Sequence, residues 1–317
     1  MQTVYFIFQQ TMFFMIPLLI VALGGMFSER SGVVNIALEG IMTIGAFASI
    51  LFINTFQDVM SGQGLLIIAI LIAGIAGMLF SLLHAYASIN MKADQVISGT
   101  ALNMFAPAFA IFIARMLNGV QQIGFTNTFL IRKVPLLGDI PVIGNLLFQN
   151  TYITTYLGIL ILVVSSIVLY KTRFGLRLRS CGEHPQAADS LGINVYRVRY
   201  SGVMISGILG GIGGLVFVVP TSTNFNATVA GYGFLALAVL IFGQWKPTRI
   251  LYAALFFGFM KTIAASYSGI PLLNDLGIPN TLYKMTPYIA TLVVLAFTSK
   301  KSQAPKASGI PYDKGMR

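Results

Sequence analysis

The groups in this chain most able to do chemistry are a few polar side chains set inside or beside long apolar runs. Asn35 and Glu39 stand four residues apart in Ser28-Glu-Arg-Ser-Gly-Val-Val-Asn-Ile-Ala-Leu-Glu-Gly40, a spacing that places an amide and a carboxylate on one helical face. A charge at the centre of a bilayer costs roughly 2.5–3.5 kcal/mol on insertion scales, so such groups are expected to face protein or water. They read as the lining of a pathway or a helix-to-helix latch around one, or else as an interfacial Glu39 that caps a helix or pairs with Arg30. Asp94, Ser98 and Asn103 form a similar series. Asp94 is expected to cap a helix at the membrane surface, and the deeper Asn103 to belong to the pathway.

Other chemistries find little support. His84 and His184 have no Cys, His or carboxylate neighbours at ligand spacing, so no metal site is expected. His84 reads as a packed or interhelical hydrogen-bonding residue. No nucleophile, base and orienting acid can be assembled, so no catalytic residues are assigned. The phosphate-loop pattern G-x-x-x-x-G-K-[ST] is absent, and no cofactor is expected on this chain. Cys181 is the single cysteine and cannot form an internal disulfide; it reads as a bystander.

The elements that must position these groups follow from composition. Hydrophobic residues make up 56% of the 317 positions and charged residues 9%, with a mean hydropathy of +0.82. Soluble domains carry about a quarter charged residues. Apolar runs of roughly 18 or more residues cross a bilayer as helices. The expected architecture is an all-α polytopic bundle of about nine spans (eight to ten). They lie near Tyr5–Phe27, Val33–Ile53, Leu65–Ser88, Gln95–Leu117, Tyr152–Tyr170, Val203–Val219, Tyr232–Phe242, Ile250–Tyr267 and Pro287–Thr298. The run at Tyr232 is short for a full crossing and reads as an extended span or half of a broken helix.

A net charge of +11 could suggest nucleic acid, but the basic residues sit in short connections and in the tail. The positive-inside rule accounts for that placement, with anionic lipids as partners. Lys171, Arg173, Arg177, Arg179, Arg197 and Arg199 crowd one connection, and Lys300, Lys301, Lys306, Lys314 and Arg317 fill the tail. Both are expected inside, with the amino terminus out and the carboxyl terminus in. The connections around Asp58, Asn224 and Asp275 then fall outside, and Arg132 and Lys133 in the external loop 118–150 are exceptions. The first run lacks the basic opening of a signal peptide and is taken as a retained span. Residues 1–298 thus form one membrane domain, and 299–317 a flexible basic cytoplasmic tail.

Within the basic connection 171–200, Pro185 suits the first position of a short helix through Gln186, Ala187, Ala188 and Asp189, stopped by Gly192. Composition alone favours an ordinary positive-inside loop, whose basic content needs no partner. Here the chain resembles the permease subunits of bacterial ATP-binding-cassette importers, in which a cytoplasmic E-A-A-x-x-x-G element docks into the ATPase. Gln186-Ala-Ala-Asp-Ser-Leu-Gly192 keeps the alanines and the glycine, with Gln in place of Glu. The longer string from Arg179 to Ile193 is similar to the ribose and branched-chain amino acid permease family. Together with the Ser28–Gly40 string it resembles the nucleoside permeases that work with basic-membrane-protein lipoproteins.

The resemblance implies a bacterial cytoplasmic-membrane subunit that translocates nucleosides. Glu183, His184, Pro185, Ala187, Ala188, Asp189 and Gly192 would form its ATPase-coupling element. It also implies an ATPase subunit carrying ATP and Mg, a second permease subunit that is often different, and a substrate-binding lipoprotein. Asn35, Glu39 and Asn103 stand as pathway candidates from their own chemistry. The alternatives are a ribose-type sugar permease, an ion-coupled secondary transporter using Glu39, and a membrane enzyme.

Overall fold

The computed structural model describes residues 2–267, 279–298 and 303–315. Eleven α-helices order the described chain: α1 (Gln2–Arg30), α2 (Leu38–Phe56), α3 (Gln63–Ala85), α4 (Gln95–Asn118), α5 (Ile153–Lys171), α6 (Arg173–Glu183), α7 (Pro185–Ser190), α8 (Val195–Thr221), α9 (Tyr232–Phe242), α10 (Pro247–Ser266) and α11 (Asn280–Thr298). Seven helices among the described residues, α1 to α5, α8 and α10, are long and apolar enough to cross a membrane. α9 has only 11 residues and α11 has 19. The polytopic helical bundle therefore stands, with α9 as short as its sequence suggested. The connection around Asp275, together with Lys300, Lys301 and Arg317, lies outside the described residues.

Local chemistry sets several boundaries. The Asp94 carboxylate accepts from the amides of Val96 and Ile97 at 2.8 and 3.0 Å, capping α4 as expected. Thr172 and Asn194 cap α6 and α8 in the same way. α8 begins eight residues before the expected Val203, at Val195. The Arg197 side chain is exposed and the Arg199 side chain buried, so the early basic turns continue the helix out of the apolar layer. α2 starts late, at Leu38 rather than Val33. α1 ends in a glycine-terminated cap in which Val33 N–H donates to Ser28 O and Gly32 N–H to Glu29 O. The residues that follow use their polar groups on other helices.

α8 is the centre of the bundle, packed by α1, α2 and α3. Its glycines permit this: a Cβ built on Gly211 would lie 2.1 Å from Ala73 O, and one on Gly214 2.0 Å from Met42 O. The overlapping G-x-x-x-G pairs are packing surfaces. Loop 118–150 is irregular, as expected, and is tied by two short antiparallel pairings. β1 (Ile123–Gly124) meets β4 (Asn224–Phe225), and β2 (Ile131–Lys133) meets β3 (Gln149–Thr151). Lys133, an exception to the charge rule, is ion-paired to Asp139, so its charge is offset locally.

The tail departs from expectation. Rather than hanging free, Gln303–Gly315 lies across the end of the bundle that carries the basic connection. Ala307 N–H donates to Gly182 O at 2.8 Å, and Gly309 N–H to Gly32 O at 3.2 Å. Arg199 Nη1 donates to Ile310 O at 3.0 Å, and Lys92 Nζ donates to Asp313 Oδ2 at 2.6 Å. Ala307 and Tyr312 are buried. The composition alone offers too little apolar surface for a domain, but two small apolar contacts and main-chain bonds suffice to lay a strap onto an existing surface.

Candidate functional site

α6 leaves α5 at Thr172 and ends at Glu183, where His184 adopts φ −143° and ψ 83° and turns the chain. Pro185 then opens α7 at its first position, where a missing amide costs nothing. At the far end Ile193 N–H donates to Ala188 O and Gly192 N–H to Asp189 O. Gly192 takes φ +80°, a conformation that favours glycine. The six-residue helix is thus bounded at both ends by the residue types that its spacing suggested.

The coupling candidates divide by burial. Pro185 and Ala188 face inward, Ala188 packing with Cys181, Val195 and Tyr312. His184, Ala187 and Gly192 are exposed, as are their neighbours Gln186 and Ser190, and Asp189 is half-buried. Leu191, which the motif treats as a variable position, is 83% exposed. Its apolar type just before the terminating glycine is the signal that would have drawn attention to it. Glu183 sits 3.9 Å from Arg30 Nη1 and accepts from Lys306 N–H at 3.4 Å. Burial pushes the Cys181 thiol up, with Arg199 opposing, which suits an unreactive packed cysteine.

The second constellation is the non-helical segment 31–37 between α1 and α2. Its polar groups are held from three sides. Val34 N–H donates to Gln95 Oε1 at 2.7 Å, and Val34 O lies 2.8 Å from His84 Nε2. A carbonyl only accepts, so Nε2 carries the proton and, in the neutral ring, Nδ1 accepts from the Ser98 hydroxyl at 3.1 Å. Asn35 Nδ2 donates to Ser206 Oγ at 2.8 Å. Asn103 bridges two backbone groups, donating to Ile36 O at 2.8 Å and accepting from Gly40 N–H at 2.7 Å. Glu39 reaches across to α9 and accepts from Gly231 N–H at 2.8 Å and Gly233 N–H at 2.6 Å. It does not meet Arg30, which instead donates to Trp245 O. The three pathway candidates are therefore brought together around one break, as fasteners between helices.

Against this geometry the comparisons become informative. A family model described as the permease component of a branched-chain amino acid transport system matches residues 7–295. The chain belongs to this permease family. The guanosine ABC transporter permease protein NupQ of Bacillus subtilis is 48% identical, covering 97% of this chain and 96% of that one. The nucleoside ABC transporter permease protein NupC of Lactococcus lactis is 46% identical over 94% and 93%. A putative glucose ABC transporter permease protein of Haloferax volcanii, TsgC13, is 29% identical over 90% and 89%. No solved structure gives a significant match.

The permease also contains two cavities that share Ala230 and Lys261, beside the amino-terminal end of α9. One, of about 600 Å³, lies between α1, α8, α10 and α11 and includes Gln10, Phe14, Phe217, Tyr232 and Lys284 in its wall. The other, of about 450 Å³, continues along α9 and α11 past Gly231, Phe234 and Thr291. Both fall within the usual range of small-molecule sites, about 300–1,000 Å³. Asn35, Glu39 and Asn103 line neither.

Proposed function

We propose that this permease translocates nucleosides across the bacterial cytoplasmic membrane as a subunit of an ATP-driven importer. The observation that carries the reading is identity of 48% and 46% along almost the whole length of proteins named for guanosine and nucleoside transport. ATP and Mg bind to a partner ATPase, since this sequence has no phosphate loop. A second permease subunit and an external substrate-binding lipoprotein complete the assembly.

In this reading the exposed residues of the coupling element, His184, Gln186, Ala187 and Gly192, meet the ATPase, together with Leu191. Ala188, Pro185 and Glu183 join that surface to the rest of the bundle. When nucleotide binding draws the ATPases together, α7 moves with them, and its packing on Cys181 and Val195 carries the displacement to α6 and α8. Packed helices respond by switching between discrete arrangements rather than by bending continuously. The 31–37 fasteners keep α2, α4, α8 and α9 moving as one body.

The test is radiolabelled guanosine uptake in a strain deleted for this gene and complemented with wild type or with Ala187→Arg. Wild type should restore uptake against excess glucose, ribose and leucine, whereas Ala187→Arg should reach the membrane but fail to couple hydrolysis to uptake. Competition by a sugar instead of by nucleosides would reassign the cargo. Full uptake by Ala187→Arg would remove α7 from the docking surface.

A further inference from the structure

The strap Gln303–Gly315 ties together connections that the chain itself keeps far apart. Gln303 N–H donates to Gln244 Oε1, in the turn between α9 and α10, at 2.9 Å. Lys306 N–H donates to Glu183 and Ala307 N–H to Gly182 O, both at the end of α6. Gly309 N–H donates to Gly32 O, just past α1. Lys92, between α3 and α4, holds Asp313. These bonds all lie at the end of the bundle that carries α7.

Among them the strap meets α7 itself. Tyr312 is 5% exposed and packs with Ala188 of α7, Cys181 of α6 and Val195 of α8. Its ring stands edge-on to Tyr196, with centroids 5.5 Å apart, and Arg199 Cζ lies 5.9 Å from its centroid. Arg199 also donates to Ile310 O, and a Cβ built on Gly32 would lie 2.8 Å from Arg199 Nη2. The guanidinium is therefore wedged between α8, the strap and the end of α1. Apart from the strap, α7 packs mainly on α6 and α8, its neighbours in sequence. A displacement of α7 thus has another path, through Tyr312 and the strap to Gly32. Gly32 lies in the non-helical segment 31–37, whose bonds to His84, Gln95 and Ser206 join it to α3, α4 and α8.

We infer that the strap is a second transmission route between the ATPase and the bundle, a role that rests on α7 docking to the ATPase and deepens that reading. Tyr312 is its positioning residue at α7, and Gly309 passes the movement to the break between α1 and α2. Because packed elements switch between discrete arrangements, the same contacts carry a signal inward from the receptor side to the ATPase.

The whole importer, with its ATPase, second permease and receptor lipoprotein, is reconstituted in vesicles. Guanosine uptake, ATP hydrolysis and the stimulation of hydrolysis by the receptor are measured together. Tyr312→Ala should assemble and hydrolyse ATP, with guanosine imported per ATP and receptor stimulation both reduced about fivefold, the usual size of effect for residues that join two coupled sites. Tyr312→Phe, which keeps the ring, should keep both. Gly309→Pro removes the amide bonded to Gly32 and excludes the φ of +79° found there. It should lower both readouts with the Tyr312 ring intact, and it decides the matter should Tyr312→Ala not assemble. Normal coupling in these variants beside a loss in Ala187→Arg would overturn the strap's role and spare that of α7; normal coupling in all of them would remove both. Coupling above wild type would also overturn the inference, since the strap would then be a brake. A wild-type importer whose hydrolysis responds to the receptor without guanosine uptake would defeat the cargo reading, and receptor stimulation would then judge the strap.

Discussion

Removing the Glu39 carboxylate would leave the amides of Gly231 and Gly233 without their acceptor at the start of an 11-residue helix. The first turn of any helix carries unsatisfied amides, and a carboxylate placed there answers both their hydrogen bonds and the helix dipole. In this bundle the carboxylate comes from a different helix, so the same contact also fastens α2 to α9. A Glu39→Ala variant is expected to lose about 1–2 kcal/mol, because the amide of buried Gly233 would be left unpaired while that of exposed Gly231 can turn to solvent, and Glu39→Gln, which keeps an acceptor, loses less. Thermal unfolding of the purified permease in detergent measures both, and equal midpoints for Ala and wild type would show that the contact carries no stability. The sequence marked Asn35 and Glu39 as polar groups that turn to protein, but the shared helical face inferred from their spacing does not form, because α2 begins only at Leu38 and Asn35 lies in the non-helical segment before it. It could not show that their partners are Ser206 and the α9 amides, because those lie 171 and up to 194 residues away. Asp94 was readable for the opposite reason, its partners being two and three residues ahead.

Among the elements, α7 and the terminal strap differ in what the sequence can say about them. α7 is bounded by proline and glycine, local signals that hold wherever the segment lies. Which alanine faces outward depends on Cys181, Val195 and Tyr312, and the last of these is supplied by the tail. The strap's own residues bury little and imply a mobile tail; its order comes from Gly32, Gly182, Arg199 and Lys92, contributed by four separated parts of the chain. Its outer fastening is an exposed ion pair. A hydrogen bond from Lys92 holds the Asp313 carboxyl below the usual range, helped by the Gly315 amide, and the same bond holds Lys92 up. The signs fix a window. The depressed Asp313 contributes above the ordinary aspartate value and is lost as the pH falls through its lowered one; the raised Lys92 contributes below the ordinary lysine value and is lost as the pH rises past its raised one. Strap attachment should therefore be flat between about pH 4 and 10 and weaken with salt. Limited proteolysis of the tail reads this directly. Asp313→Lys should speed cleavage, and combining it with Lys92→Asp should slow it again; cleavage indifferent to the swap would leave the ion pair without a role in docking.

At the scale of the whole molecule, α8 organises the bundle, and it can do so because its glycine faces let three helices approach backbone to backbone. The long apolar runs made the helical, membrane-spanning character and the rough extent of most helices readable, since lipid demands continuous apolar segments. Which helix lies in the centre was not readable from hydropathy, which scores α3 as the more apolar of the two, though 78% of the α8 window is buried and only 44% of the α3 window. The glycine pairs held that information, but a close approach needs a partner surface, and the sequence does not say that Ala73 and Gly77 provide it. This yields a contrast between two glycines of similar context in sequence and opposite context in space. A Cβ at Gly211 would sit 2.1 Å from Ala73 O and 3.0 Å from Gly77 Cα, both backbone atoms that cannot turn aside, whereas a Cβ at Gly64, near the start of α3, meets nothing within 4 Å. Gly211→Val should therefore separate α3 from α8 and cost at least about 3 kcal/mol, the upper part of the range for overpacked cores. Gly64→Ala should be neutral or slightly stabilising, because it removes backbone freedom from the unfolded chain at no steric expense. Size-exclusion profiles and thermal midpoints of the two variants, expressed side by side, give the comparison, and a Gly211→Val protein as stable as Gly64→Ala would mean that α3 and α8 do not meet through these glycines.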